Sequence, residues 1–212
     1  MNFQNWSNKI KNVALITGSS GFIGFHLAEI LLSCNWKIIG LDAMTDYYDV
    51  NLKDARQTLL CENSNFYNYQ WMVQDSKLLN EIYSNHKPNI IIHLAAQAGV
   101  RFSIENPISY VESNLIGTFH ILETARRYKP DHLLMASTSS VYGSNKDMPL
   151  HESQKCDTPM SFYAATKKSN EVMAHSYSHL YDIPMTIFRF FTVYGPWGRP
   201  DMALFKFTKN IL

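Results

Sequence analysis

The chain has 212 residues, 46% of them hydrophobic, and its 19 basic and 18 acidic side chains leave a formal net charge of +1. This composition supports a folded core, and the balanced charge argues against a dedicated nucleic-acid binder, which normally carries a basic stripe. No apolar run approaches the roughly 20 residues of a membrane span, and residues 1–12 are polar without a signal-peptide stretch. We therefore expect a cytoplasmic protein with neither nucleic acid nor membrane as a partner.

Short apolar runs alternate with longer amphipathic stretches along the chain. The apolar runs predict six strands, at residues 13–16, 36–41, 66–73, 89–94, 132–137 and 185–191. Helical spacing predicts helices at residues 22–32, 75–85, 107–128 and 161–181, and the start of another from residue 201. This alternation indicates right-handed crossover units. The expected fold is α/β, with a doubly wound parallel sheet of the Rossmann type.

Three glycines separate the first predicted strand from the first helix, at Gly18, Gly21 and Gly24. Glycine at these positions permits a tight turn, the approach of a pyrophosphate to the backbone, and close packing of helix on sheet. The spacing differs from the usual G-x-G-x-x-G, but its strand-turn-helix context favours a dinucleotide site. The residues of this loop that we expect to contact the cofactor are Gly18, Ser20, Gly21, Phe22, Ile23 and Gly24.

Two aspartates follow predicted strands on the same side of the sheet. Asp42 ends the second strand, where a carboxylate accepts hydrogen bonds from ribose hydroxyls and repels a 2′-phosphate, which favours NAD over NADP. The alternative is a carboxylate that caps the strand end. Asp75 follows the third strand, where it either covers the adenine edge or caps the next helix. Leu94, Ala95 and Ala96 lie at the end of the fourth strand and suit the wall of a cofactor site.

Tyr163 and Lys167 are four residues apart, so they share one face of a predicted helix. An ammonium group beside the phenol, together with a positive nicotinamide ring, is expected to lower the pKa of the phenol and make it an acid–base group. The alternative is a surface pair.

A hydroxyl-rich segment, residues 137–140 (STSS), ends the fifth strand, where ligands bind in such sheets. His175 and His179 have helical metal-ligand spacing, but with no third ligand in the pattern we expect no metal site.

On these motifs the chain resembles the extended short-chain dehydrogenase/reductase family, and within it the UDP-glucuronate 4-epimerases. The segments that carry the resemblance are TGSSGFIG, HLAAQAGVRFS, STSSVYG, YAATK and RFFTVYGPWGRPDMALFKF. The resemblance implies that NAD is the cofactor, Tyr163 the catalytic base, Lys167 its partner, and Thr138 the hydroxyl that binds the reacting sugar oxygen. It also implies that Asn114 supports the site from the long helix and belongs to the cofactor-binding set.

The resemblance further suggests the substrate. Dehydratases of the family carry Asp-Glu after the threonine, and the related decarboxylases carry Glu two residues after it, whereas this chain has Ser139 and Ser140. Hydroxyls there can hold a uronate carboxylate. The implied reaction interconverts UDP-glucuronate and UDP-galacturonate through a 4-keto intermediate. The alternatives are an epimerase or dehydratase that acts on another sugar nucleotide, and an inactive NAD-binding fragment. The residues expected to bind substrate are Arg101, Ser103, Ser139, Ser140, Thr192 and Arg199, with surface ion pairs as the alternative for the arginines.

Members of this family continue beyond the segment that matches this chain, so we expect a C-terminally truncated protein in which the substrate subdomain is largely absent. The expected organisation is an extension at residues 1–12, an NAD-binding Rossmann domain with the catalytic residues at 13–194, and the start of the substrate-binding region at 195–212. The resemblance also implies a homodimer formed through the helices at residues 107–128 and 161–181.

Overall fold

One parallel sheet of six strands, in the order β3-β2-β1-β4-β5-β6, organises the molecule. The computed structural model describes residues 12–211, so the predicted extension lies almost entirely outside the described residues. The strands are β1 (Val13–Thr17), β2 (Lys37–Asp42), β3 (Phe66–Gln70), β4 (Ile90–His93), β5 (His132–Thr138) and β6 (Met185–Phe190). Every strand pair is parallel. The predicted doubly wound parallel sheet is therefore confirmed.

Within residues 12–211, eight α-helices connect and flank the strands. They are α1 (Phe22–Ser33), α2 (Val50–Cys61), α3 (Ser76–His86), α4 (Phe102–Glu105), α5 (Pro107–Tyr110), α6 (Gly117–Tyr128), α7 (Phe162–Tyr181) and α8 (Ala203–Ile211). A π-helical segment, Val111–Ile116, joins α5 to α6, and a 3-10 turn, Ser139–Tyr142, follows β5. Within the described part of the chain, no helix is both long and apolar enough to cross a bilayer.

Alternate residues of the central strands supply two separate apolar layers. Leu15 and Ile39 face one layer, which is completed by buried side chains of α3, α6 and α7. Ala14 and Ile38 face the other, which is completed by α1 and α2. Because strand side chains alternate between faces, a strand buried on both sides reads as an unbroken apolar run. Full burial of each leucine or isoleucine side chain in these layers contributes roughly 1.5–3 kcal/mol.

Helix α2 was not predicted, and its burial pattern explains why. Its inward face carries Lys53, Arg56 and Leu60, so two of the three buried positions are charged residues. Helix prediction from hydrophobic periodicity fails when the buried face is cationic. Arg56 is fully buried and donates hydrogen bonds to the Ser20 carbonyl oxygen at 3.0 Å and to the Tyr48 hydroxyl at 2.8 Å. Arg56 therefore ties α2 to the glycine loop after β1 by polar contacts, while Leu60 packs in the apolar layer.

The predicted helix at residues 107–128 is interrupted in the middle. Its centre, Val111–Ile116, has π-helical hydrogen bonding, which is rare and occurs frequently at functional sites. The strand order reverses between β1 and β4, so the connections that leave their carboxyl ends run to opposite faces of the sheet and leave a crevice between them. The π-helical segment lies beside this crevice, because Ser113 lines it.

Candidate active site

A cleft of about 780 Å³ opens at the carboxyl ends of the strands. It is large enough for an extended ligand, because ordinary ligand pockets have volumes of about 300–1,000 Å³. Most of the residues singled out in the sequence line it. They are Gly18, Gly21, Phe22, Ile23, Gly24, Asp42, Leu94, Ala95, Ala96, Arg101, Thr138, Ser139, Ser140, Tyr163, Lys167, Thr192 and Arg199.

The glycine loop leaves one wall of the cleft bare of side chains. Gly18 adopts a φ of +76°, and its N–H donates to the Leu41 carbonyl oxygen at 2.7 Å. A Cβ atom on Gly24 would collide with the carbonyl oxygen of Gly18, whereas one on Gly21 would lie 3.1 Å from that atom. Helix α1 begins with no side-chain cap, so its first N–H groups are free for a ligand. The loop therefore fits the pyrophosphate of a dinucleotide.

The carboxylate of Asp42 is held in place at the adjacent wall. One oxygen accepts from the backbone N–H of Ser20 at 3.0 Å and the other from that of Met44 at 2.9 Å. These contacts match the strand-end cap named above, but the carboxylate also lines the cleft, where its remaining lone pairs can accept ribose hydroxyls. Lys53 lies on the same wall and donates to the Thr45 hydroxyl at 3.2 Å. Lys53 was not predicted as a site residue, because it lies on α2, a helix that hydrophobic periodicity does not reveal.

Asp75 was expected to cover an adenine, but it does not line the cleft. It is the N-cap of α3, where one carboxylate oxygen accepts from the backbone N–H of Lys77 at 2.9 Å and of Leu78 at 3.1 Å. Its other oxygen accepts from the indole N–H of Trp71 at 2.9 Å. The preceding residues, from Trp71 to Gln74, line the cleft instead. The helix-cap alternative therefore describes this residue.

Two serines expected to contact ligands turn away from the cleft. Ser20 is fully buried and its hydroxyl donates to the side chain of Gln57 at 3.2 Å. Ser103 is 1% exposed and its hydroxyl donates to the carbonyl oxygen of Val100 at 2.6 Å. Both hydroxyls satisfy local backbone or helix contacts, as serine commonly does at turns. Their side chains stabilise the loops that carry Gly21 and Arg101.

Asn114 lies behind the cleft wall, with no exposed surface. Its amide oxygen accepts from the backbone N–H of Gln97 at 2.8 Å, and its amide nitrogen donates to the Gln97 carbonyl at 3.1 Å and to the Thr166 hydroxyl at 3.1 Å. Both amide hydrogens are thus used within the protein. Contrary to its place in the expected cofactor-binding set, Asn114 joins the loop after β4 to helix α7, and it supports the site from the π-helical segment.

Tyr163 and Lys167 stand at the start of α7, whose N-cap Ser161 accepts from the backbone N–H of Ala164 at 3.1 Å. Lys167 is 4% exposed, and its Nζ donates to the carbonyl oxygen of Ala136 on β5 at 2.9 Å. The surface-pair alternative is therefore wrong. Burial lowers the pKa of the Lys167 amine to about 8. Tyr163 and Lys167 line the same cleft as Thr138.

In the protein alone the pKa of the Tyr163 phenol is raised, whereas the expected lowering also included a positive nicotinamide ring. Burial raises its pKa above the ordinary value, and the Thr138 hydroxyl and the Arg199 guanidinium oppose that rise only in part. Desolvation penalises a phenolate, and here it outweighs the nearby positive charge. The protein alone therefore holds Tyr163 in its protonated form at neutral pH.

Arg199 lies in the cleft, and its guanidinium is already paired with the carboxylate of Asp201. Its guanidinium donates to the two oxygens of Asp201 at 3.0 and 2.6 Å and lies 5.5 Å from the centre of the Tyr47 ring. The Tyr47 hydroxyl donates to Asp201 at 3.3 Å. Arg101 is exposed at the rim. Asp201 and Tyr47 were not predicted, because their contact joins residues far apart in the chain.

The two histidines with metal-ligand spacing are both exposed on α7. Over residues 12–211, the structure contains no group of three or more His, Cys, Asp or Glu side chains arranged to hold a metal ion. The helical spacing of His175 and His179 is accounted for by a solvent-facing position on that helix.

Comparison with known proteins identifies the family to which this chain belongs. The chain matches the family model described as GDP-mannose 4,6 dehydratase over residues 15–212. A probable UDP-glucuronate 4-epimerase of Rhizobium meliloti is 54% identical over 197 residues, which are 93% of this chain and 58% of the relative. UDP-glucuronate 4-epimerase 4 of Arabidopsis thaliana is 48% identical over 199 residues, which are 93% of this chain and 45% of that protein.

Solved structures give the same result. The crystal structure of UDP-glucuronic acid 4-epimerase from Bacillus cereus, in complex with UDP-glucuronic acid and NAD, superposes with a TM-score of 0.87 at 35% identity. The match covers 94% of this chain and 62% of that one, so the chain spans less than two thirds of these relatives. The resemblance read from the sequence motifs is confirmed: this chain belongs to the GDP-mannose 4,6-dehydratase family of extended short-chain dehydrogenases/reductases.

Proposed function

We propose that the protein catalyses the NAD-dependent 4-epimerisation of a UDP-sugar, and specifically the interconversion of UDP-glucuronate and UDP-galacturonate through a 4-keto intermediate. One observation carries this proposal: the Tyr163 phenol, the buried Lys167 amine and the Thr138 hydroxyl line the same cleft as the bare glycine loop. An acid–base group thereby shares a cleft with a surface built for a dinucleotide.

The glycine loop, Asp42 and the small residues after β4 are the groups that would hold NAD. Bound there, NAD would accept hydride from C4 of the sugar and return it to the opposite face of that carbon. Gly21 offers its backbone to the pyrophosphate, and the carboxylate of Asp42 faces the cleft where a ribose would lie. The negative charge of Asp42 disfavours a 2′-phosphate, which supports NAD rather than NADP.

Tyr163 is the proposed acid–base group. Its oxygen takes the proton from the sugar 4-hydroxyl as the C4–O bond becomes a carbonyl, and returns it to the same oxygen after the sugar has turned over. Thr138 donates a hydrogen bond to that oxygen. Since burial raises the pKa of Tyr163, positive charge in the assembled complex must favour the phenolate, and Arg199 contributes to this. Lys167 fixes the start of α7 through the Ala136 carbonyl.

Hydroxyl groups support a uronate as the substrate. Ser139 and Ser140 line the cleft directly after Thr138, and Thr192 lines it after β6. These hydroxyls can donate hydrogen bonds to a carboxylate, and no acidic side chain occupies positions 139 or 140 to repel it. The names of the curated relatives from Rhizobium meliloti and Arabidopsis thaliana support the same substrate.

We also propose that residues 13–194 form the NAD-binding unit and that residues 195–212 begin the substrate-binding region.

We propose further that the protein forms a homodimer through the helical regions 107–128 and 161–181. Exposed apolar side chains support the dimer: Ile116 is 42%, Phe119 43% and Val172 59% exposed on these helices. Apolar patches of this kind mark interaction surfaces.

The test is incubation of the purified protein and NAD with UDP-glucuronate, followed by chromatographic separation of the epimers. UDP-glucose and its N-acetyl relative are run in parallel. Conversion of UDP-glucuronate to UDP-galacturonate supports the proposal. Conversion of only a neutral sugar nucleotide points to the related epimerase activity, and retention of NAD without turnover of any sugar nucleotide points to an inactive NAD-binding fragment.

A further inference from the structure

A buried carboxylate outside the cleft joins three elements that carry active-site residues. Glu171 lies on α7 and is 9% exposed. It accepts a hydrogen bond from the Ser137 hydroxyl on β5 at 2.7 Å. Arg189 on β6 donates to both of its oxygens, each at 2.9 Å. A second cation, Lys168 on the same helix, lies 3.3 Å from one oxygen.

The register of the sheet creates this arrangement. Ser137 of β5 pairs with Arg189 of β6, so both side chains leave the sheet on the same face, toward α7. Thr138 directly follows Ser137, and Phe190 directly follows Arg189. Glu171 is one helical turn beyond Lys167 and two beyond Tyr163. The Glu171 carboxylate therefore contacts the residue that precedes Thr138, and it lies on the same helix as Tyr163 and Lys167.

Arg189 extends the same network to the hydroxyl-rich segment. Its guanidinium lies 5.0 Å from the centre of the Tyr142 ring and donates to the Glu152 carbonyl oxygen at 3.2 Å. Tyr142 closes the 3-10 turn that holds Ser139 and Ser140. The Arg189 side chain is 19% exposed. Without the Glu171 carboxylate, its guanidinium would lose the two oxygens that accept its hydrogen bonds at 2.9 Å. Leaving such a group unpaired is costly enough to drive a local rearrangement.

We propose that Glu171 is a positioning residue that sets the distance between Thr138 and the Tyr163–Lys167 pair by clamping β5, β6 and α7 together. This inference rests on the proposed function for its catalytic consequence. Glu171 does not line the cleft that holds Tyr163 and Lys167, so it acts through Ser137 and Arg189. Small displacements matter at this site, since a misplacement of about 1 Å can cost on the order of 100-fold in rate.

The test compares kcat and KM for UDP-glucuronate in matched variants. Glu171→Gln keeps the length of the side chain but directs an amide NH2 at Arg189 or Ser137, so it weakens the clamp. We expect kcat to fall by at least about tenfold while KM and the NAD dissociation constant stay within about twofold, because geometry rather than binding changes. Glu123→Gln is the control, since Glu123 pairs with Arg126 and Tyr177 away from β5 and β6.

Ser137 provides the second arm in case the Glu171 variant folds poorly. Ser137→Ala removes the strand side of the clamp and is expected to lower kcat, whereas Ser137→Thr retains the hydroxyl and is expected to restore it. The double variant Glu171→Gln with Ser137→Ala should be no worse than the more harmful single variant, since both break one contact. Unchanged kcat in a folded Glu171→Gln protein, or additive losses in the double variant, would overturn the inference.

A readout without turnover separates this inference from the proposed function. Amide hydrogen exchange is measured on residues 134–142 and 162–168 in native, Glu171→Gln and Glu123→Gln proteins. Faster exchange in these segments, confined to the Glu171 variant, supports the clamp even if no sugar nucleotide is converted. Equal exchange in all three proteins refutes the clamp, whatever the activity of the native chain.

Discussion

The amine of Lys167 donates a hydrogen bond to the carbonyl oxygen of Ala136 at 2.9 Å. This contact ties the start of α7 to β5 two residues before Thr138, at a depth where Lys167 is only 4% exposed. A buried ammonium group is expensive unless it is paired, and here its partner is a neutral carbonyl. The lysine is therefore held by the site at a cost to stability, which can be measured.

The pH dependence of unfolding should report this cost. Burial lowers the pKa of Lys167 from 10.5 to about 8, so between these values the unfolded chain binds more protons than the folded one. Stability contributed by this group therefore rises with pH across that window. Relative to Lys167→Met, the dinucleotide-free native protein should gain about 1–3 kcal/mol of unfolding free energy between pH 8 and 10, measured by urea titration. A constant difference between the two proteins would contradict this assignment.

Two glycines of the cofactor loop should respond differently to alanine. In Gly24→Ala the new Cβ meets the Gly18 carbonyl oxygen inside the fold, so we expect a loss of about 1–3 kcal/mol of stability or failure to fold. In Gly21→Ala the Cβ lies 3.1 Å from the same atom, and the fold should survive. Its NAD affinity should nevertheless fall by at least about tenfold, because the methyl group occupies the pyrophosphate cradle. Thermal unfolding and calorimetric NAD titration distinguish the two, and unchanged NAD affinity in Gly21→Ala would remove the phosphate role from this loop.

The preference for NAD over NADP should depend on the charge of Asp42. Asp42→Asn retains an oxygen acceptor for one backbone N–H but removes the negative charge that repels a 2′-phosphate. We expect the ratio of NAD to NADP affinity to fall by about tenfold, roughly 1.4 kcal/mol. Isothermal titration with both dinucleotides measures it. An unaltered ratio would mean that Asp42 acts only as a strand-end cap.

Asp201 should compete with an anionic substrate for Arg199. The bidentate pair, with contacts at 3.0 and 2.6 Å, already fills the guanidinium fork. Asp201→Asn leaves the fork available to a carboxylate or diphosphate, so KM for UDP-glucuronate should fall severalfold, while Arg199→Ala should raise it by about tenfold or more. Steady-state kinetics on both variants test this. A higher KM in Asp201→Asn would show instead that the aspartate orients Arg199 for binding.

Much of the fold was accessible from the sequence because its signals are local. The apolar run at residues 89–94 marks β4 because a strand buried on both faces has few polar positions. The edge strand β3 was predicted to reach Val73 but ends at Gln70, since most of its side chains are exposed and carry little periodicity. Helix α2 escaped detection because its buried face is formed partly by Lys53 and Arg56.

In the candidate site, too, features within one helix could be predicted from the sequence, whereas side-chain directions and long-range contacts could not. The four-residue spacing of Tyr163 and Lys167 is visible in the sequence, because it lies within one helix. The direction of the Asp75 side chain is not, since a helix cap and a cofactor contact occupy the same position in the chain. The contact between Tyr47 and Asp201 depends on the folding of two distant loops and leaves no local pattern.

The proposed reaction requires the Tyr163 phenol to exchange a proton with a sugar hydroxyl. The most direct measurement is the rate of UDP-galacturonate formation from UDP-glucuronate by native protein and Tyr163→Phe, with NAD binding measured on both. The variant should bind NAD normally but lose about 10²–10⁴-fold in turnover, the usual contribution of a positioned acid–base group. A phenylalanine variant that forms the product at the native rate would contradict the proposed reaction.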